Sequence, residues 1–278
     1  MGSSLTPDTN RARRSFLELL GVGAISIATA SPGQVVGQPA SESEKPAAGP
    51  PANVMAVAAH PGDAFFAMGA PVALAVTLGG RGTFVSLSLG ERGSATIPAE
   101  QYGPMQQDAS NRAAQKLGAQ TAFLSYPDGE IPVNDEAKFA VCDLIRQYKP
   151  AIVITHWKGS WHKDHRACHE IVADAVFYAG LPAIARRDPA HAVSKVFYAD
   201  NWEDAEGFRP DTYLDVTPVF DRWYEACALF PMWRGENGFR YNDYYRSRAV
   251  ETGCLSGAQH AVALMSPPDQ LIRRVPSL

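Results

Sequence analysis

Four short apolar runs, at 53–59, 83–89, 121–124 and 151–155, each stop abruptly at polar or turn-forming residues. Runs of this length fit strands buried on both faces, where the polar alternation disappears because neither face meets water. Between and after them lie segments of helical character. Residues 65–78 are apolar all round and closed by Gly79-Gly80, 105–117 is amphipathic and ends at Gly118, 136–148 follows, and 165–178 is broken by Gly180 and Pro182. Strand then helix, repeated, predicts an α/β fold: a doubly wound, mostly parallel sheet with helices on both faces, Rossmann-like. Beyond Pro189 the pattern loosens, with strands expected near 195–198 and 212–215 and helices at 219–230 and 241–251. Open parallel sheets bind ligands in the crevice beyond the carboxyl ends of their strands, so the polar clusters there carry the functional signal.

His60-Pro61-Gly62-Asp63 follows the first run, Gly90-Glu91-Arg92-Gly93 the second, and His156 and then His162-Lys163-Asp164-His165 the last. Imidazoles and carboxylates are the usual ligands of a catalytic zinc, which takes three protein groups and keeps a position open. His60, Asp63 and His165 make that set. Singly, each cluster has a plain structural explanation, since Pro-Gly-Asp is a common turn and Asp164 stands where a helix N-cap would. Their convergence on one edge of the expected sheet is what singles them out. His162 and His165 are three apart, so one helical turn brings both to one pocket, and His169, a turn further, reads as a packing or supporting histidine.

Composition narrows the function. Lys and Arg number 25 against 29 Asp and Glu, a formal net charge of −4, so no basic field is present to hold a nucleic-acid backbone. A hydrophobic content of 46% excludes a disordered chain, and 23 Gly with 21 Pro favours loop-rich α/β over a helical bundle. Cys142, Cys168, Cys227 and Cys254 form no CxxC pair, so neither a zinc ribbon nor a redox motif is written. At the N-terminus, Arg13-Arg14 precedes an apolar run at 16–28 interrupted only by Glu18, and Ala28-Thr29-Ala30 offers a cleavage pattern. These residues predict a twin-arginine-type signal over 1–30 and a periplasmic or extracellular protein, with no membrane span in the mature chain. Residues 31–52 read as a Pro-, Ala- and Gly-rich linker, and 53–278 as one catalytic-size domain.

Ala59-His60-Pro61-Gly62-Asp63, Leu89-Gly90-Glu91-Arg92-Gly93, Tyr126-Pro127-Asp128-Gly129 and His162-Lys163-Asp164-His165 together resemble the PIG-L (LmbE-like) family of zinc-dependent deacetylases of N-acetylglucosaminyl conjugates. The resemblance spans 53–180 and is fainter at Leu214-Asp215-Val216-Thr217 and 246–259. It implies zinc on His60, Asp63 and His165, the same three residues, and no organic cofactor. Fe2+ or Mn2+ would suit the same donors. The implied substrate is a small molecule or glycoconjugate, to which Arg92 and Asp128 on the crevice loops are candidate contacts. Trp157, Trp161 and Tyr126 offer ring faces for a sugar, and the stretch holding Met232, Trp233, Phe239, Tyr241, Tyr244 and Tyr245 would roof the pocket or meet another subunit.

One departure bears on mechanism. Deacetylases of the family place a base aspartate immediately before the metal-binding aspartate, and this chain has Gly62 there, followed after Asp63 by Ala64. Three readings follow. The chain is an amidohydrolase whose base is Glu91, with His162, oriented by Asp164, protonating the leaving amine. Alternatively it is a hydratase acting on an unsaturated acid, since the 4-oxalomesaconate hydratase branch also carries HPGD and GERG sequences. The third is a metal- or sugar-binding module without catalysis. Export favours a glycan and hence the first.

Overall fold

Val54–Ala58 (β1), Gly82–Ser86 (β2), Gln120–Phe123 (β3), Ile152–Thr155 (β4) and Lys195–Ala199 (β5) run parallel in the order β3-β2-β1-β4-β5. Ala261–Met265 (β7) pairs antiparallel with the end of β5, and Thr212–Asp215 (β6) pairs antiparallel with β7 at the sheet's edge. The computed structural model describes residues 51–204 and 206–268; the signal and most of the linker expected at 1–50 lie outside them. Every residue of β1 and β2 is buried, which accounts for the missing alternation in their sequences.

Seven α-helices flank the sheet among the described residues: Pro61–Phe66 (α1), Gly69–Thr77 (α2), Ala99–Leu117 (α3), Asp135–Tyr148 (α4), Lys163–Ala179 (α5), Phe220–Cys227 (α6) and Tyr241–Ser256 (α7). One core packs α1, α2, α3, α6 and α7 through Phe65, Phe84, Trp223, Phe230 and Trp233. The opposite face buries Val57, Val85, Ile145, Ile171 and Val172 under α4 and α5. The sheet is therefore mostly parallel and covered on both faces, as the alternation predicts. The direction of strand succession reverses at β1, whose neighbours are β2 and β4. That switch opens a crevice at the carboxyl ends of β1 and β4.

Four expectations need correcting. The helix expected over 65–78 is two helices, and the first begins at Pro61, with Pro in the first turn and His60 extended before it. The break falls where Pro71 has no N–H for the Ala67 carbonyl, and Trp223 fills the gap. The indole N–H of Trp223 donates to the Phe65 carbonyl at 2.7 Å, and a Cβ on Gly69 would stand 2.9 Å from the Trp223 ring. The helix expected from 105 starts at Ala99 and contains Pro104. Gly103 allows this helix to lie against the loop after β2, because a Cβ there would meet the Glu91 Cβ at 3.1 Å. Finally, β7 lies in a segment where no element was expected, and the helix expected over 219–230 stops at Cys227.

Candidate metal centre

His60 leaves β1 and Asp63 sits in the first turn of α1, so Asp63 swings back beneath the imidazole: His60 Nδ1 and Asp63 Oδ2 are 3.0 Å apart. Across the switch point, β4 is followed by a loop that enters α5 at His162, placing His165 Nε2 3.1 Å from the same Asp63 oxygen. His60, Asp63 and His165 thus bring one donor atom each within 4.8 Å of the others. Donors on a tetrahedral zinc with bonds of about 2.0 Å lie about 3.3 Å from one another, so the two short separations are those of a ligand set.

The outward sides of both rings support a metal fit. His60 Nε2 faces Asp128 Oδ1 at 3.1 Å and Asp164 Oδ2 at 3.3 Å. His165 Nδ1 lies 2.9 Å from Glu203 Oε2, while Asn201 Nδ2 donates to Asp63 Oδ1 at 3.3 Å. A carboxylate behind each ligating imidazole fixes ring orientation and raises ligand basicity. A second group of donors, His60, His162 and Asp164, shares His60. In that group Asp164 Oδ2 accepts the Gly129 N–H at 2.6 Å, and the Asp164 N–H donates to His162 Nδ1 at 3.2 Å. The first set is the candidate metal centre.

Electrostatics agree with this assignment. Burial alone pushes His60 and His165 down, but the surrounding aspartates and Glu203 outweigh it, holding His60 well above its usual value and His165 at about 9. Burial pushes Asp63 up, and the two imidazoles reverse it and hold the carboxylate well below its usual range. His156 behaves differently. Burial and the charge of His165 keep it well below its usual value, and its Nε2 accepts the Ala59 N–H at 3.1 Å, tying the ends of β1 and β4 together. His169 packs on Trp157 and Tyr198 with Nδ1 3.0 Å from the His156 carbonyl, outside the ligand set.

A cavity of about 130 Å³ lies over the centre, lined by His60, Asp63, Asp128, His162, His165 and Glu203 among others. The remaining sequence candidates fall around it unevenly. Glu91 does not line it; its Oε1 accepts the Asp128 N–H at 2.8 Å. Arg92 also holds that loop, donating from its backbone to Asp128 Oδ2 at 3.0 Å and from Nη1 to Asp128 O and Glu130 Oε1, both at 2.7 Å. Both residues build the position of Asp128, because their polar atoms are directed at its loop instead of at the cavity. Asp164 orients His60 with its side chain, where the sequence suggested His162. His162 itself is set by the Asp164 backbone: with Nδ1 accepting, a neutral ring carries its proton on Nε2.

At Gly62 a Cβ would stand 3.1 Å from Phe66 and 3.3 Å from the Met232 sulfur. The place of the family's base is thus closed by apolar groups. Met232 and Tyr241 line the cavity as expected of a roof, whereas Trp233 and Tyr245 are buried core residues. Trp157 is buried with its indole N–H on the Glu206 carbonyl, Tyr126 packs against the core under α4 and α5, and Trp161 is 56% exposed beside His162. Sequence reasoning missed Asn201 and Glu203. They follow β5, so the rule that singled out the clusters after β1, β2 and β4 applies to them equally.

An α/β sheet carrying a two-histidine, one-carboxylate centre at its switch point defines a metal-site protein of the doubly wound class. Residues 55–176 match the model of the PIG-L family, described as GlcNAc-PI de-N-acetylase. Over this region the chain is similar to the PIG-L (LmbE-like) family. It is 29% identical over 191 residues to the 4-oxalmesaconate hydratase of Pseudomonas putida, covering 64% of this chain and 72% of that one. It is 23% identical over 230 residues to the diacetylchitobiose deacetylase of Thermococcus kodakarensis, covering 77% and 83%. The crystal structure of the 4-carboxy-2-hydroxymuconate hydratase from Pseudomonas putida superposes with a TM-score of 0.70 at 23% identity, over 82% of this chain and 99% of that one. The family relatives thus include both deacetylases and a hydratase.

Proposed function

We propose that the chain is a metal-dependent hydrolase that removes the acetyl group from an N-acetylglucosamine-type sugar or glycoconjugate. The charge of the cavity wall carries this reading. Asp63, Asp128, Asp164 and Glu203 surround the centre, four carboxylates against the two positive charges of a divalent ion, and no Lys or Arg is among the described residues lining the cavity. In a partly desolvated site that surplus repels a polycarboxylate, while a neutral acetamide meets no such penalty. Trp161, exposed beside His162, adds a ring face suited to the C–H face of a sugar. Its backbone is fixed by its N–H on the Glu203 carbonyl and by Arg166 on its own carbonyl. Export, which the Arg13-Arg14 segment suggests, suits a glycan.

His60, Asp63 and His165 would hold the ion. When bound, a divalent metal supplies Lewis acidity, polarising a carbonyl and lowering the pKa of water to about 7. Of the carboxylates lining the cavity, Asp63 belongs to the ligand set, while Glu203 and Asp128 stand behind the ligating rings of His165 and His60. The attacking water gives its oxygen to acetate and its proton to solvent. His162 Nε2–H protonates the departing nitrogen as the C–N bond breaks. Asp164 and Glu203 keep the two ligating rings in register.

A second reading has its own observation. Gly62, backed by Phe66 and Met232, together with the 29% identity to a hydratase, favours addition of water across the carbon–carbon double bond of an unsaturated acid. One assay separates the two: zinc-loaded protein beside a chelated control, tested for acetate release from N-acetylglucosamine conjugates and for hydration of unsaturated di- and tricarboxylic acids. Chelator-sensitive acetate release is the expected result. Hydration without acetate would replace the proposal with the hydratase.

A further inference from the structure

Gln106 projects from α3 into the wall of the same cavity, beside Gly90. It is 0% exposed, and neither its Oε1 nor its Nε2 has a hydrogen-bond partner among the described residues. Around it, His60, Asp63, Asp128, His165 and Glu203 face one another, and Tyr241 Oη accepts from Asn237. A buried amide without partners costs the folded protein free energy that an apolar side chain of the same length would not. Its place at a ligand cavity gives the amide something to meet. Gly90 stands at φ +61, and a Cβ there would lie 3.9 Å from Gln106 Nε2, so residue 90 places no side chain against the amide.

A carboxamide presents a donor and an acceptor side by side. A carboxylate ligand would satisfy Nε2 and leave Oε1 opposite a negative charge. A sugar with an acetamido N–H next to a hydroxyl offers the matching pair, N–H to Oε1 and hydroxyl oxygen to Nε2–H. Resting on the hydrolase reading above, we propose that Gln106 is a substrate-anchoring residue that grips the acetamido N–H and the neighbouring hydroxyl of an amino sugar, and so selects it over a carboxylic acid.

The test compares zinc-loaded wild type with Gln106→Met, close in length but apolar, and Gln106→Glu, which keeps an acceptor and loses the donor. Kinetics and equilibrium titrations use the β-1,4-linked N-acetylglucosamine dimer and its 3-deoxy analogue at the reacting ring. Gln106→Met is expected to melt at or above the wild-type temperature, to raise KM and Kd for the dimer at least tenfold, and to leave kcat much less affected. Wild type is expected to lose a similar factor on the 3-deoxy sugar, and the variant to lose little more. Unchanged Kd in Gln106→Met, or a lower melting temperature in both variants, would overturn the proposal in favour of a purely structural amide. If wild type releases no acetate from any sugar, the hydrolase reading fails, and the titrations still decide Gln106: a dimer that does not bind, or binds both proteins equally, removes the anchor.

Discussion

Glu91 and Asp128 are joined by one hydrogen bond, yet they differ in what a neutral substitution should do. Glu91 uses an oxygen to accept the Asp128 N–H, and a glutamine at 91 retains that acceptor. Asp128 Oδ1 faces His60 Nε2, and an asparagine there removes a negative charge behind that ring. Asp128→Asn is therefore expected to weaken zinc affinity by about tenfold or more. Glu91→Gln should retain most zinc affinity and activity. Measured acetate release and zinc affinity in the two variants check this, and activity lost in Glu91→Gln with zinc kept would return the base to Glu91. At this scale the ligand set was legible because His60, Asp63 and His165 follow strands and carry metal-binding chemistry. The partners were not, since the carboxylate behind each ring depends on loops that sequence does not bring together, such as Asn201 reaching Asp63 across 138 positions.

At the scale of elements, the α1–α2 break combines a local stop with tertiary packing. Pro71 has no N–H to bond the Ala67 carbonyl, so it tolerates only the first turn of a new helix, where it stands in α2. The Trp223 indole takes the Phe65 carbonyl that the Gly69 N–H would use in a continuous helix, and the ring occupies the space of a side chain at 69. Gly69→Ala is expected to destabilise the fold by about 1–3 kcal/mol through overpacking against Trp223, measured as a lower urea midpoint with an unchanged slope. An unchanged midpoint would show that the ring can move aside. β7 escaped sequence reading for a related reason. Its Ala-Val-Ala-Leu-Met run is short, and four of its five residues are buried, so periodicity carries no sign of which strands will flank it.

For the whole molecule, the crevice concentrates acidic groups whose burial shapes stability. Burial, with Asp200 and Glu203 adding to it, pushes Asp204 up to about 7 against the opposing pull of His165 and the Asn201 N–H. An unfolded aspartate titrates near 3.9. Between about pH 4 and 7 the folded state therefore holds the extra proton, so this group's contribution to stability falls as pH rises through that window and stays low above it. Asp204→Asn should melt higher than wild type at pH 8, with the difference shrinking toward pH 4. Melting curves at several pH values test this, and a constant difference would mean that Asp204 does not titrate there. Most of the order of strands and helices, and the three candidate metal ligands, were determined by the sequence itself, because hydrophobic period and ligand chemistry are local properties. Tertiary structure alone decided that Met232 closes the space at Gly62, that Glu203 stands behind His165 and that Gln106 meets the cavity. Those juxtapositions arise where separate segments cross at the carboxyl edge of one sheet, and packing sets their distances.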